Sequence, residues 1–124
     1  MPDRRQHLGR QGESLAVEHL RKKGYKIIAR NYTTRIGEID IIAKHDGQLV
    51  FIEVKARRSR RFGHPKTAVT ADKQRKISMV ALEYLKKHHN LHTRARFDVV
   101  TVQTFEREPI IEVFPNAFEL AYGR

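Results

Sequence analysis

Length and composition narrow the class of this protein before any motif is considered. With 124 residues, 40% of them hydrophobic, the chain can bury one core but is too short for two ordinary domains, so we expect one domain over residues 1–124. The absence of cysteine excludes disulfides, thiol catalysis and thiolate metal sites. No apolar run approaches the roughly 20 residues that span a bilayer, and no secretory signal is evident, so we expect a cytoplasmic protein.

The net charge indicates the kind of partner. There are 25 Lys and Arg against 14 Asp and Glu, which gives a formal charge of +11. A balance this basic favours a polyanion, and nucleic acid ranks above an anionic membrane because no segment combines a basic face with a strongly apolar one. The alternative is a basic soluble protein without such a partner.

The N-terminal half predicts a helix followed by an antiparallel meander. Apolar residues recur at helical spacing over residues 11–23, and Gly24 supplies a C-terminal stop. Residues 25–31 have strand character, and a turn region runs from Asn31 to about Gly37. Residues 38–44 and 48–57 predict two further strands, joined through the hairpin signal Asp46-Gly47.

The C-terminal half predicts a crossover helix and a return to the sheet. Residues 57–65 are basic and punctuated by Gly and Pro, which indicates a loop. An apolar stripe predicts a helix over residues 70–89, and strands follow at 95–105 and 110–114, the first of them parallel to the earlier sheet. The last residues predict a helical turn capped by Asn116. The resulting fold class is α/β, a mixed sheet flanked by helices.

The predicted hairpin carries charged residues among its most apolar positions. If Asp46-Gly47 is a two-residue turn, its flanking residues pair, and counting outward puts Asp40 opposite Glu53 and Glu38 opposite Lys55. A four-residue loop keeps the shared face, whereas a three-residue loop without a bulge puts Asp40 on the other side. The side chains of Glu53 and Lys55 share a face in either case because they lie two apart.

This arrangement is typical of a metal-dependent phosphodiesterase. Directly opposed side chains on neighbouring strands have Cβ atoms roughly 5 Å apart. Two carboxylates at that distance repel each other unless one is protonated or a cation lies between them. Hard oxygen ligands favour Mg²⁺ or Mn²⁺. Lys55 could orient or deprotonate a water, or stabilise negative charge in a phosphoryl-transfer transition state. The alternative is a cross-strand salt-bridge ladder in which Glu38 and Glu53 pair with Lys55 and a neighbouring Arg.

A wider set of motifs resembles a known family. Asp40 followed by Glu53-Val54-Lys55 resembles the PD-(D/E)XK nuclease motif, although Ile39 stands where that motif has proline. A wider pattern extends over roughly residues 9–114 and consists of Gly12-Glu13, Asn31, GEIDIIA from Gly37, VFIEVKAR from Val50, Phe62-Gly63, Lys73 and RFDVV from Arg96. With this pattern the chain resembles the bacterial YraN family, which is similar to archaeal Holliday junction resolvases and other restriction-endonuclease-like proteins.

The resemblance implies a fold and a set of site residues. The fold would be restriction-endonuclease-like, with Asp40 and Glu53 as the principal metal ligands, the backbone carbonyl of Val54 as a third, and Lys55 as the catalytic lysine. Glu13 would correspond to the acid that such resolvases add from the first helix. Helical geometry is compatible with this because Glu13 shares a face with the apolar residues of that helix. The alternative is a first-turn glutamate stabilised by the helix dipole.

Basic residues near this constellation predict contacts with phosphates. Four arginines lie at the end of the predicted strand that carries Glu53 or directly after it: Arg57, Arg58, Arg60 and Arg61. Two residues of the predicted second helix, Lys73 and Gln74, could reach the same site. Guanidinium groups there could hold phosphates on either side of a scissile bond without reading sequence. The alternatives are a solvated loop and an ordinary helix surface.

Two other groups of residues invite a functional interpretation that we do not favour. Asp98 could be a further acid near the metal, but a structural pairing with Arg96 or Lys55 is the better interpretation. The histidines at positions 88, 89 and 92 lack the closed spacing of a zinc site and end a helix, where cationic His is favoured anyway.

Taken together, these features predict a Mg²⁺- or Mn²⁺-dependent endonuclease that cleaves DNA, with branched or structured DNA as a substrate. Junction substrates would favour a two-fold dimer, because a symmetric substrate suits a symmetric enzyme. The rival hypothesis is a non-catalytic nucleic-acid-binding module on the same fold. An RNA-directed role also stays open, since charge does not separate RNA from DNA.

Overall fold

A computed structural model describes residues 4–57, 69–89, 92–104 and 107–119, with side chains from residue 9 onward. Within these ranges, two helices and five strands follow one another along the chain. They are α1 (Arg4–Lys22), β1 (Lys26–Thr33), β2 (Glu38–His45), β3 (Gln48–Arg57), α2 (Ala71–Lys87), β4 (Ala95–Gln103) and β5 (Ile110–Phe118).

The five strands form one mixed sheet in chain order. Neighbouring strands are antiparallel except β3 and β4, which are parallel. The parallel pair needs a crossover, and α2 lies in the chain between these two strands. The α/β class, the opening meander and the parallel return after the second helix are therefore confirmed.

Each helix covers one face of the sheet. On one face, α1 packs through Ala16, Val17 and Leu20 against buried residues of β2, β3 and β4. On the other face, α2 packs through a second buried cluster that includes Ile77 and Val80. The strands that both helices cover are consequently apolar on both faces, which explains the near-continuous apolar runs in β2 and β3. Neither of these two helices is long and apolar enough to cross a membrane.

The helix boundaries follow from local chemistry. Gly24 adopts a φ of 90°, which suits glycine after a helix, and the N–H of Tyr25 then donates to the Leu20 carbonyl at 3.0 Å. Thr70 caps α2 because its hydroxyl oxygen accepts a hydrogen bond from the Lys73 N–H at 3.2 Å. The predicted start of the second helix is confirmed, whereas α1 begins at Arg4, seven residues before the predicted position.

Two strand predictions, those for β1 and β5, were wrong in extent. Residues 31–33 continue β1 beside β2, so the predicted turn region is shorter. The predicted helical turn at Asn116 was also wrong, because this residue lies within β5, which extends to Phe118. Asn116 has a φ of 54° and donates its N–H to the buried Asp98 carboxylate at 2.9 Å. That carboxylate stabilises a bulged strand where the sequence pattern favoured a cap.

Candidate functional site

The hairpin of β2 and β3 carries the candidate acids at its open end. His45 pairs with Gln48 as predicted, and the ladder continues to Ile41 opposite Ile52. It ends there, so the predicted direct opposition of Asp40 and Glu53, and of Glu38 and Lys55, is not part of the ladder.

Asp40 replaces the missing ladder contact with its own side chain. Its carboxylate oxygen Oδ2 accepts a hydrogen bond from the backbone N–H of Val54 at 2.8 Å. The alternation of β2 is also interrupted here, because Ile39 packs in the cluster under α2 whereas Ile41 packs in the cluster under α1. Residues two apart normally share a face, so the strand twists at Asp40. The carboxylate thereby links β2 to β3 beyond the end of their ladder.

Glu53 lies on the face of β3 that α2 covers and is 5% exposed. Two ammonium groups contact its Oε1 atom: Nζ of Lys55 at 3.5 Å from the same strand, and Nζ of Lys73 at 2.6 Å from α2. The predicted shared face of Glu53 and Lys55 is therefore observed, and a lysine of the second helix completes an ion-pair cluster.

A cleft of about 410 Å³ opens between this end of the sheet and the first turns of α2. Its charged lining residues are Glu38, Asp40, Glu53, Asp72, Lys73 and Lys76. The structure thus brings Asp40, Glu53 and Lys73 to one cleft, with Lys55 in contact with Glu53.

The ionisation of Asp40 is strongly perturbed. Burial and the neighbouring charge of Glu53 raise its pKa from 3.8 to about 7, although the hydrogen bond from Val54 opposes the shift. Glu13 raises this pKa further, whereas Lys73 lowers it. Close to neutral pH, Asp40 is therefore partly protonated, because its ionisation would place a second negative charge beside Glu53. A bound cation would reduce the repulsion between the two carboxylates.

The pKa values of Lys55 and Lys73 are shifted in opposite directions. Burial lowers the pKa of Lys55, Glu53 opposes this, and the nearby ammonium of Lys73 lowers it further. Burial would also lower the pKa of Lys73, but the ion pair with Glu53 outweighs it and the net shift is upward. Lys55 is consequently the easier of the two to deprotonate.

Glu13 approaches Asp40 from α1. Gly12 allows the close packing that brings it there, since a Cβ at this position would lie 2.9 Å from the Cβ of Ala56 on β3. Burial raises the pKa of Glu13, and Arg30, whose Nε lies 3.4 Å from its Oε1, opposes this. Glu13 and Asp40 line a second cavity of about 460 Å³, whereas Glu53 lines only the first of the two.

The remaining candidates for phosphate contact divide into three groups. Arg57 ends β3 and donates from Nη1 to the carbonyl of Ala56 at 3.2 Å. Arg58, Arg60 and Arg61 lie outside the described residues. Gln74 does not line the cleft, because its side-chain amide donates to the carbonyl of Val69 at 2.9 Å.

The acidic pair suits a hard divalent cation. In the described part of the chain, no three His, Cys, Asp or Glu side chains converge as a ready-made metal cluster. Mg²⁺, however, ordinarily uses one or two carboxylates and completes its coordination with water and substrate oxygens. Asp40 and Glu53 supply two such carboxylates in one cleft, and the charge of Glu53 contributes to the raised pKa of Asp40. The donor set therefore fits Mg²⁺ or Mn²⁺.

Asp98 belongs to a structural network. It is fully buried and accepts hydrogen bonds from the hydroxyl of Tyr25 at 2.8 Å, from Arg96 at 2.9 and 3.0 Å, and from the N–H of Asn116. The structural pairing with Arg96 is as interpreted from the sequence. At the end of α2, the Nδ1 atom of His88 lies 2.9 Å from the carbonyl of Tyr84.

Three charged residues of the cleft were missing from the sequence-based site: Glu38 as a lining residue, Asp72 and Lys76. Lys76 follows Lys73 by one helical turn and therefore shares its face, so helical spacing could have identified it. Glu38 lines both cavities and lies two residues before Asp40 on β2. Nothing local in the sequence marks it as a member of both.

Comparison with known proteins places the chain in a family. A model of the uncharacterised protein family UPF0102 matches residues 12–102. A UPF0102 protein of Desulfosudis oleivorans is 52% identical over 119 residues, which cover 96% of this chain and 95% of the relative. A UPF0102 protein of Geobacter metallireducens is 51% identical over 115 residues, which cover 93% and 94% of the two chains. The chain therefore belongs to the UPF0102 family, which is the YraN family that its motifs predicted.

Proposed function

We propose that this protein is a metal-dependent endonuclease that hydrolyses phosphodiester bonds in DNA, with branched or structured DNA as its substrate. The observation that carries the proposal is the pairing of Asp40 and Glu53 in one cleft, with the pKa of Asp40 raised to about 7 by burial and by Glu53. Carboxylates in this condition are typical of sites that hold a cation and act on a charged substrate.

Each residue of the cluster has a distinct role in this proposal. Asp40, Glu53 and the backbone carbonyl of Val54 would hold Mg²⁺ or Mn²⁺, and Glu13 would add negative charge from the second cavity. The ion would supply positive charge next to the scissile phosphate and favour ionisation of a water. Lys55 is suited to accept a proton from the attacking water because its pKa is lowered, or to stabilise charge on the phosphate while it is protonated.

The charge of the chain supports a nucleic-acid substrate. A net charge of +11 attracts a polyanion, and Arg57 lies at the end of the strand that carries Glu53 and Lys55. Arg58, Arg60 and Arg61 follow directly in the chain and would contact backbone phosphates, as would Lys73, which lines the cleft. We further propose that the protein acts in the cytoplasm, and that a two-fold dimer presents two sites to the two strands of a junction.

The decisive experiment is cleavage of a panel of labelled substrates with Mg²⁺ or Mn²⁺. The panel contains linear duplex, single-stranded, flap and four-way-junction DNA together with RNA, and compares the wild type with Glu53→Gln and Lys55→Ala. We expect the wild type to cleave at least one of the DNA substrates and both variants to leave it uncut. Lys55→Ala should still bind the metal. Binding of the panel without any cleavage by the wild type would refute the enzymatic proposal.

A non-catalytic nucleic-acid-binding module is the second candidate, and one observation favours it. Glu53 is already neutralised by two ammonium groups, at 2.6 and 3.5 Å, so the acidic pair is partly compensated without a metal. In that function the cluster stabilises the fold, and Mn²⁺ does not bind. Calorimetric titration separates the two candidates, because the nuclease requires Mn²⁺ binding that Asp40→Asn and Glu53→Gln weaken.

A further inference from the structure

We propose that Lys73 is a built-in counter-ion for Glu53, which a divalent cation displaces when it binds in the cleft. This inference rests on the proposed metal site and adds a step to its use. Lys73 then has two positions: on Glu53 without the metal, and toward the mouth of the cleft with it.

The ion pair between Lys73 and Glu53 is the closest contact in the cluster. Nζ of Lys73 lies 2.6 Å from Oε1 of Glu53, whereas Nζ of Lys55 lies 3.5 Å from the same oxygen. The position of Lys73 is well defined because it lies in the first turn of α2, where its N–H donates to the capping hydroxyl of Thr70. The helix cap thus aims this lysine at the sheet.

The side chains of Lys55 and Lys73 differ in how readily they can move away from Glu53. The side chain of Lys55 is 18% exposed, whereas that of Lys73 is 44% exposed although its ammonium contacts a glutamate that is 5% exposed. Lys73 therefore reaches Glu53 from the solvent side of the cleft. A side chain in this position can rotate into water without opening the core, whereas Lys55 is confined on its strand.

A divalent cation and the Lys73 ammonium would compete for the same carboxylate. At 2.6 Å there is no space for an ion between Nζ and Oε1, and an ion placed beside a retained ammonium would experience like-charge repulsion. A divalent ion brings twice the charge and can bond to Asp40 and Glu53 together. Binding should therefore release Lys73, and the contact with Lys73 should weaken apparent metal affinity.

The test is calorimetric titration of Mn²⁺ into the wild type, Lys73→Met and Lys76→Met. Lys76 is the matched control because it lies one turn further along α2, lines the same cleft and pairs with Asp72 at 3.3 Å instead of Glu53. Both variants lose one positive charge near the site. We expect Lys73→Met to bind Mn²⁺ roughly tenfold more tightly than Lys76→Met, the size of one charged hydrogen bond.

The outcomes separate this inference from the proposed function. Equal Mn²⁺ affinity in the two variants would overturn the role of Lys73 and leave the metal site standing. An absence of Mn²⁺ binding in the wild type and in both variants would overturn the metal site itself, and the inference with it.

A second measurement uses the wild-type protein and does not depend on the folding of any variant. The ¹H–¹⁵N signal of each lysine ammonium is followed while diamagnetic Mg²⁺ is added. We expect the Lys73 signal to move toward that of an exposed lysine, with a smaller change for Lys76. A Lys73 signal that keeps its position at saturating Mg²⁺ would contradict displacement.

Discussion

Replacing Asp40 with Asn should stabilise the folded protein at alkaline pH while removing a proposed metal ligand. The carboxyl of Asp40 has a pKa of about 7 in the folded protein against an ordinary value of 3.8. As the pH rises between these values, the unfolded chain releases its proton and the folded protein retains it. The stability that protonation of Asp40 contributes is therefore lost as the pH rises through this range. This contribution is fully lost above the folded-state pKa.

The size of the effect follows from the two pKa values. Linkage gives a difference of about 2.5 kcal/mol in unfolding free energy between pH 5 and pH 8, most of it below pH 7. Asparagine has no such proton to release, and its side-chain carbonyl can still accept the N–H of Val54. The stability of Asp40→Asn relative to wild type should consequently rise by about 2–3 kcal/mol over this range.

Urea unfolding at pH 5, 6, 7 and 8 with a chelator measures this difference directly. Ile41→Val is the control, because it alters a buried neighbour without a titrating group and should cost about 0.5–1.5 kcal/mol at every pH. A difference between Asp40→Asn and wild type that does not change with pH would refute the reasoning about this carboxylate.

Two further predictions concern packing around the site. Gly12→Ala places a methyl group 2.9 Å from the Cβ of Ala56 and should cost about 1–3 kcal/mol by urea unfolding. Gly9→Ala, with nothing within 4 Å of the added Cβ, should not destabilise, and an equal loss in both variants would contradict the packing argument. Asp98→Ala leaves the guanidinium of Arg96 without its buried partner and should cost about 3–5 kcal/mol by the same measurement, whereas a loss below 1 kcal/mol would show that the network is dispensable.

Local patterns account for much of the fold. Asp46 and Gly47 adopt φ angles of 52° and 72°, which suits a two-residue turn with both central residues at positive φ, and the register of β2 and β3 follows from it. The second helix begins after Thr70 as predicted because a capping hydroxyl acts within one turn. These features are predictable because each depends on residues that are close in the chain.

The C-terminal strand illustrates where such patterns fail. Asn116 has the chemistry of a cap and was predicted as one, yet its N–H bonds to Asp98 of β4. A buried carboxylate needs several donors, and this distant requirement outweighs the local preference of Asn. The competing partner cannot be identified from the residues around Asn116.

The candidate site, like the fold, has features that the sequence predicts and others that only the tertiary structure shows. The sequence alone placed Glu53 and Lys55 on one face, because side chains two apart in a strand point the same way. Only the tertiary structure shows that the Asp40 carboxylate bonds to the N–H of Val54, that Gly12 brings Glu13 close to β3, and that Lys73 reaches Glu53. The physical reason is that periodicity sets the face of an element, whereas close packing of the whole core sets where one element lies against another.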